Sequence, residues 1–272
     1  MKKTIFRRIY EKYKYKLYLM NIYVIVSTFH YLEKSQFKTH KKVITISEQS
    51  KRDIMKYYEI KENNIKVIPN GVNIEKFNPT NYSEELRKRY GNKIILYSGL
   101  MVQRKNIHVL LKAFKYINEE LPDVKLILTG EGNFLEEYKE LTNSLGIESN
   151  VHFLGFVSDQ KLLKLLATAD LFVFPSKKEG FGQVIIESLA SGTPVICADI
   201  PPMADIIDDA GKVFEVGNPK DLAKKILNLF QDSKSYSNIK KNTHKIAKRY
   251  QWSRIGKKYQ NYIKKVIKSK KE

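Results

Sequence analysis

The chain has 272 residues, of which 42% are hydrophobic, with a single cysteine and a formal net charge of +20. That is enough for one large or two modest domains of about 100–200 residues each around a real core, and a lone cysteine excludes a disulfide-stapled fold. The charge favours anionic partners, an anionic lipid surface or a phosphorylated ligand, but the basic residues are dispersed and no helix-turn-helix, RNP-type or zinc-ligand pattern appears, which speaks against nucleic acid.

Residues 1–40 read as mostly helical. Tyr10, Tyr13, Leu17 and Met20 recur at spacings of three and four with lysines between them, and a second helical stretch from Thr28 to Lys41 carries Phe29, Leu32 and Phe37. The NIYVIVS between them fits helix or strand. Its apolar run, Leu17 to Val26, falls well short of the roughly 18–20 residues that span a bilayer. The basic start, MKKTIFRRIYEKYKYK, lacks the apolar segment and small-residue cleavage site of a secretory signal. A cytoplasmic protein, peripheral on the inner membrane face if the charge draws it there, is the expectation.

KKVITIS follows with the alternation of a strand. Ser47 then fits the N-cap of a helix, SEQSKRDIMKYY, its hydroxyl accepting from first-turn amides. IKVIPNGVN reads as a strand ended by a Pro-Asn-Gly turn, and residues 78–90 as a linker leading into a short charged helix.

From Asn92 strands and helices alternate. KIILYSG, VKLILTG, NVHFLGF, DLFVFPS, PVICA and KVFEV are strands. IHVLLKAFKYINEE, NFLEEYKELTNSLG, SDQKLLKLLATA, QVIIESLASG and DLAKKILNLF are helices. Nearly all-apolar strands joined by helices predict a parallel sheet covered on both faces, an α/β Rossmann-like domain. Cys197, inside PVICA, reads as a small buried strand residue. Ligands of such sheets bind beyond the carboxyl ends of the strands, where Ser98-Gly99, Gly130-Glu131-Gly132, Gly155-Phe156 and Pro175 to Gly182 stand. The tail RYQWSRIGKKYQNYIKKVI predicts one more helix, with Trp252, Ile255, Tyr259 and Tyr262 as a packing stripe.

The loop PSKKEGFG before a helix is the first candidate site. Gly180 and Gly182 remove side chains where backbone would approach a ligand, and the helix start suits a phosphate. Glu179 lies just outside that helix and Glu187 eight residues on. At about 1.5 Å per residue the separation is roughly 12 Å, two turns. That is beyond the ~5–10 Å at which two carboxylates flank one glycosidic bond. The pair therefore fits two parts of one long ligand, such as a hexose and a ribose joined by pyrophosphate. Arg104-Lys105, in the loop after the first strand of this domain, places two cations at the same sheet edge, where they could neutralise a departing diphosphate.

The stretch from about Val43 to Val266 resembles the C-terminal part of family-four, glycogen-synthase-like glycosyltransferases of the GT-B fold. The resemblance is carried, in the family's order, by VITISEQSKRDI, IKVIPNGVNIEKFNP, YSGLMVQRKNIHVLLKAF, LILTGEGNFLEEYKEL, VHFLGFV, ADLFVFPSKKEGFGQVIIESLASGTPVI and the tryptophan tail. It implies that Glu179 binds the donor sugar's hydroxyls near the reacting carbon, Glu187 the ribose hydroxyls, and Arg104 and Lys105 the pyrophosphate. It further implies that Gly180 and the backbone near Phe181, Gly182 and Gln183 support sugar and phosphates, that Gly99 lies close to the phosphates, and that Phe156 and Val157 border the base. Retention of anomeric configuration is implied too, with no metal or other cofactor besides the nucleotide diphosphate sugar itself, and a glycan or lipid-linked acceptor.

Two departures stand out. The family's common Gly-Arg-Leu reads Gly99-Leu100-Met101 here, so one phosphate contact must come from elsewhere, with Arg104 the candidate. And only about 42 residues precede the VITIS strand, where a full GT-B enzyme has a whole acceptor domain. The expected organisation is a remnant of the N-terminal domain and linker over 1–90, a donor-binding domain over 91–248, and a C-terminal helix over 249–272 packing back. FHYLEKSQF takes the place of a frequent family helix, so His30 is not expected to match the catalytic histidine. A donor-binding subunit inactive without a separate N-terminal chain or an oligomer is the alternative reading.

Overall fold

In a computed structural model of the chain, residues 42–268 are described. The helices expected at Tyr10–Met20 and Thr28–Lys41, the NIYVIVS segment and His30 all lie outside them.

The described residues form two compact units, 42–45 with 51–66, and 46–50 with 67–268. Segments 67–90 and 249–268, set apart in the sequence reading, group with the larger one. The smaller unit holds strand β1 (Val43–Thr45), most of helix α1 (Glu48–Tyr58) and all but the last residue of strand β2 (Ile65–Val67), which pairs with β1. Ser47 is the cap that the sequence predicts, its hydroxyl accepting from the Ser50 amide at 3.0 Å.

The larger unit continues with α2 (Glu84–Tyr90), β3 (Ile94–Ser98), α3 (Ile107–Glu120), β4 (Lys125–Thr129), α4 (Leu135–Leu145), β5 (Val151–Phe153), α5 (Asp159–Thr168) and β6 (Leu171–Phe174). Then come α6 (Gln183–Ala190), β7 (Val195–Ala198), α7 (Met203–Ile207), β8 (Gly211–Phe214), α8 (Pro219–Gln231), α9 (Ser233–Ala247) and α10 (Trp252–Lys268). Strands β3 to β8 make one sheet in the order β5-β4-β3-β6-β7-β8, every pairing parallel. Counted from β3 this is 3-2-1-4-5-6, the order of nucleotide-binding doubly wound sheets. The strands are apolar on both faces because helices cover both: Ile95, Leu96, Tyr97, Phe172, Val173, Val195, Ile196 and Cys197 are all fully buried.

Local chemistry sets the helix bounds. Ser83, Ser158, Asn218 and Asp232 each accept from first-turn amides of the helix they precede, and Gly146, left-handed, ends α4. Asp170 fastens the sheet's amino edge. It pairs with Arg87 through both carboxylate oxygens, at 2.8 and 3.1 Å, and accepts from the Ile94 amide at 2.8 Å.

Two helices were not anticipated. α7 has only five residues, too few to show a period. α9 is polar along most of its length, and its buried side chains, Ile239, Thr243, Ile246 and Ala247, include just two large apolar ones. The tail helix, expected to begin by Arg249, begins at Trp252 instead. Residues 248–250 form a 3₁₀ turn and Gln251 is extended, because Val72 bridges to Gln251 and takes the Tyr250 carbonyl at 2.8 Å. The predicted stripe is only partly packed: Ile255 is buried, while Trp252 lies against Gly71 and stays half-exposed.

Candidate functional site

The chain winds outward from β3 through β4 to β5, then returns to β6 on the other side of β3. The connections after β3 and β6 therefore start out on opposite sides of the switch point in strand order, and the carboxyl ends of the strands at such a point are where doubly wound sheets take ligands. Both sequence-predicted clusters sit there, Arg104-Lys105 after β3 and Glu179 after β6.

The structure brings these residues into direct contact. Oε1 of Glu179 accepts from Lys105 Nζ at 2.5 Å, from Ser176 Oγ at 2.6 Å and from Arg104 Nη1 at 3.3 Å. The Glu179 and Lys105 side chains are each 10% exposed, Arg104 52%. The Lys105 ammonium also rests 4.6 Å from the centre of the Phe174 ring, which stacks in turn on Tyr97. Burial, the largest influence, pushes the Lys105 ammonium below the usual lysine range; its bond to Glu179 and that residue's charge oppose the shift, and Arg104 adds to it. The two loops are stitched together by the Lys177 amide donating to the Arg104 carbonyl at 2.9 Å.

Backbone bonds across the strand ends hold the Arg104 loop. Gly130 N donates to Gly155 O, Gly99 N to Thr129 O and Met101 N to Glu131 O, all between 2.8 and 3.1 Å. This close approach explains Gly130: with φ +117°, a Cβ there would lie 2.0 Å from the Gly99 carbonyl oxygen. It also means that the Gly99 amide is spent on the sheet. Tyr97 reaches over the loop and donates to the Leu100 carbonyl at 3.0 Å. Leu100 is 56% exposed and Met101 fully buried, so the position where the family commonly has arginine presents an apolar side chain, with Arg104 nearby as the exposed cation.

Helix α6 opens on Gly182, left-handed at φ 93°, with no side-chain cap; the Ile185 amide donates to the Gly182 carbonyl at 2.9 Å, and the helix start and its dipole suit an anion. Gly180 is exposed, whereas the Phe181 ring is buried edge-on to Tyr250. The Gln183 side chain donates to the Gly71 carbonyl at 3.1 Å. Glu187, two turns into α6, is half-buried. Burial pushes its carboxyl up to about 7, opposed by a bond from Gln183 and the charge of Lys76, and aided by Asp159. Phe156, past β5, is 79% exposed, and Val157 beside it packs on the core.

Sequence reasoning missed Ser176, Phe174 and Asn106. Ser176 was legible only as part of PSKKEG: its bond to Glu179 is made within that loop, and only its approach to the Arg104 carbonyl, seventy-two positions away, needs the fold. Asn106 joins the Arg104 loop to α3 in the left-handed conformation that Asn adopts more readily than most residues, and its buried amide has no partner. Among the described residues no group of three or more His, Cys, Asp or Glu could hold a metal ion, and no helix is long and apolar enough to cross a membrane.

Comparison with known proteins decides the family. The family model described as "Glycosyl transferases group 1" matches residues 78–246, more than half of the chain. The chain belongs to the group 1 glycosyl transferases. The model described as "Glycosyltransferase Family 4" matches residues 13–76. An uncharacterized glycosyltransferase of Methanocaldococcus jannaschii is 31% identical over 232 residues, covering 82% of this chain and 59% of that protein. The capsular polysaccharide biosynthesis glycosyltransferase CapM of Staphylococcus aureus is 31% identical over 243 residues, covering 82% and 62%. The alpha-monoglucosyldiacylglycerol synthase of Streptococcus pneumoniae is 33% identical over 166 residues, covering 58% and 37%. The chain thus spans about three fifths or less of these relatives. Among solved structures, Anabaena HepE in complex with UDP and glucose superposes with a TM-score of 0.75 at 25% identity, over 82% of this chain and 63% of that one. The fold is that of the Rossmann-like half of GT-B glycosyltransferases.

Proposed function

We propose that this chain binds a nucleoside-diphosphate sugar across the β3/β6 crevice and supplies the donor half of a retaining glycosyl transfer to a lipid-linked or polysaccharide acceptor. The observation that carries the reading is the Glu179 carboxylate, held by Lys105, Arg104 and Ser176 at the switch point, beside the uncapped start of α6. In this reading the sugar hydroxyls meet Glu179, the ribose hydroxyls meet Glu187, and the diphosphate lies between, towards Arg104 and the α6 amides. Phe156 offers an exposed ring to the base.

Departure of the diphosphate builds negative charge on its oxygens, and fixed cations stabilise that charge best in a partly dehydrated cleft. Arg104 is suited to this. Its single contact with Glu179 is long, and a guanidinium has five donors, so most of its donors are free for phosphate. Lys105 balances Glu179 in the resting site and lies beside the same crevice. The two cations, rather than a metal ion, neutralise the leaving group in this scheme.

The HepE complex supports a uridine nucleotide as the first donor to test. The relatives named for a glucosyldiacylglycerol and for capsular polysaccharide support the acceptor class. The chain spans about three fifths of its longer matches, and donor binding without turnover by these residues is the second reading.

Calorimetry with UDP and UDP-glucose, followed by a transfer and donor-hydrolysis assay, tests both readings. Glu187→Ala should weaken UDP and UDP-glucose alike by about 10-fold or more, since a hydrogen bond to a charged group contributes about 1.5–3 kcal/mol. Glu179→Ala should leave UDP unchanged and weaken UDP-glucose. UDP binding equally to wild type and Glu187→Ala would refute the ribose assignment, and donor binding without turnover would favour the second reading.

A further inference from the structure

The Glu179 carboxylate is used asymmetrically. All three of its protein donors, from Lys105, Ser176 and Arg104, converge on Oε1. Among the described residues no donor reaches Oε2, and the side chain keeps 10% of its surface exposed. A carboxylate free to turn presents either oxygen; three donors on one oxygen leave the other as the acceptor for a ligand.

The three donors differ in kind. Arg104 and Lys105 are cations that a bound diphosphate would draw towards itself, as Glu179 now does. Ser176 is neutral and fully buried, and the next residue's amide is bonded to the Arg104 carbonyl. Its one proton has three acceptors in range: Glu179 Oε1 at 2.6 Å, the Arg104 carbonyl at 3.3 Å and the Lys178 carbonyl at 3.4 Å. The nearest is also the charged one, so the proton goes to Glu179.

We propose that Ser176 is a positioning residue for the donor sugar: its hydroxyl holds Oε1 of Glu179 while the cations turn to the diphosphate, and so keeps Oε2 aimed at a sugar hydroxyl. This rests on the donor reading above and deepens it. Ser176 acts only through Glu179, so its removal must cost sugar recognition and spare the nucleotide.

The test is calorimetry of UDP and UDP-glucose on the full chain in wild type, Ser176→Ala, Glu179→Ala and the double variant, with Ser176→Thr restoring the hydroxyl. Ser176→Ala should bind UDP within about 2-fold of wild type but lose about 10-fold for UDP-glucose, the lower end for a hydrogen bond to a charged group. It should cost nothing further in the Glu179→Ala background, as residues acting as a unit are non-additive, and Ser176→Thr should recover the loss. Equal weakening of UDP and UDP-glucose, or a further loss on top of Glu179→Ala, overturns the proposal. Ser176→Cys, a weak donor of similar size, takes the place of alanine if that variant does not fold. If wild type binds UDP-glucose no tighter than UDP, the sugar-binding reading fails by itself. Crystal structures of wild type and Ser176→Ala with UDP bound then decide the positioning role: a Glu179 carboxylate turned from its wild-type orientation in the variant supports it, and an unmoved one overturns it.

Discussion

At the residue scale the site is a balance of charge against burial. Lys105 and Glu179 are nearly out of water, whereas Arg104 is half in it. Removing one partner of a buried pair strands the other, at a cost of about 3–5 kcal/mol, while an exposed pair contributes about 0–1 kcal/mol. Lys105→Ala should therefore lower the urea midpoint clearly and Arg104→Ala hardly at all, whereas on the proposed donor reading both variants should lose affinity for UDP. Glu187 gives a pH signature. Its folded carboxyl titrates at about 7, against 4.5 for the free group, so between these values the native state holds more proton than the unfolded one. Stability contributed by this group is then present below pH 4.5 and lost as pH rises to 7. Ribose hydroxyls favour the ionised form, so UDP binding should tighten between pH 6 and 8 relative to Glu187→Gln, which cancels the titration of the phosphate itself. Parallel profiles for the two proteins would remove Glu187 from the ribose site.

At the element scale, apolar strands between turn residues and helices with a 3.6-residue stripe announce themselves. α3 runs from Ile107 to Glu120, the segment that its periodicity marks, because its apolar residues all face one core. β5 is shorter than NVHFLGF suggests, since Gly155 turns away and leaves Phe156 outside. α9 escaped notice because its contacts with α6 and α8 need few large apolar side chains, and no local rule reveals neighbours brought by the fold. The glycines at the strand ends were legible as oddities; their cause, backbone against backbone, was not. Gly130→Ala would drive a Cβ into the Gly99 carbonyl. Overpacking of this kind costs about 1–3 kcal/mol, so its Tm should fall by roughly 2–12 °C. The loop carrying Arg104 should shift with it, weakening UDP as well; a variant with unchanged Tm and unchanged UDP affinity would show that the stitching is dispensable.

At the scale of the whole molecule, a net charge of +20 acts over distances that no single contact spans. A charge of this size attracts anionic ligands and anionic surfaces in general, an effect screened within about 8 Å at physiological salt, and membrane-surface attraction is the proposal it supports here. Co-sedimentation with phosphatidylglycerol vesicles should exceed that with phosphatidylcholine vesicles and fall away by 0.5 M NaCl. Binding that ignores salt or lipid charge would end the case for membrane-surface attraction.

Taken alone, the amino-acid sequence determined the alternation of strand and helix, the Rossmann-like class and the buried place of Cys197, and it put forward Glu179, Glu187, Arg104 and Lys105 as the candidates for the site. These depend on period, residue type and spacing, which are local. The tertiary structure decided the strand order, the meeting of the β3 and β6 loops, and hence the contact of Lys105 with Glu179 across seventy-four positions. It also brought Arg104 and Lys105 onto the same carboxylate oxygen that Ser176, three residues before Glu179, already holds. Such pairings arise from how the sheet winds, and no local pattern in the chain encodes them.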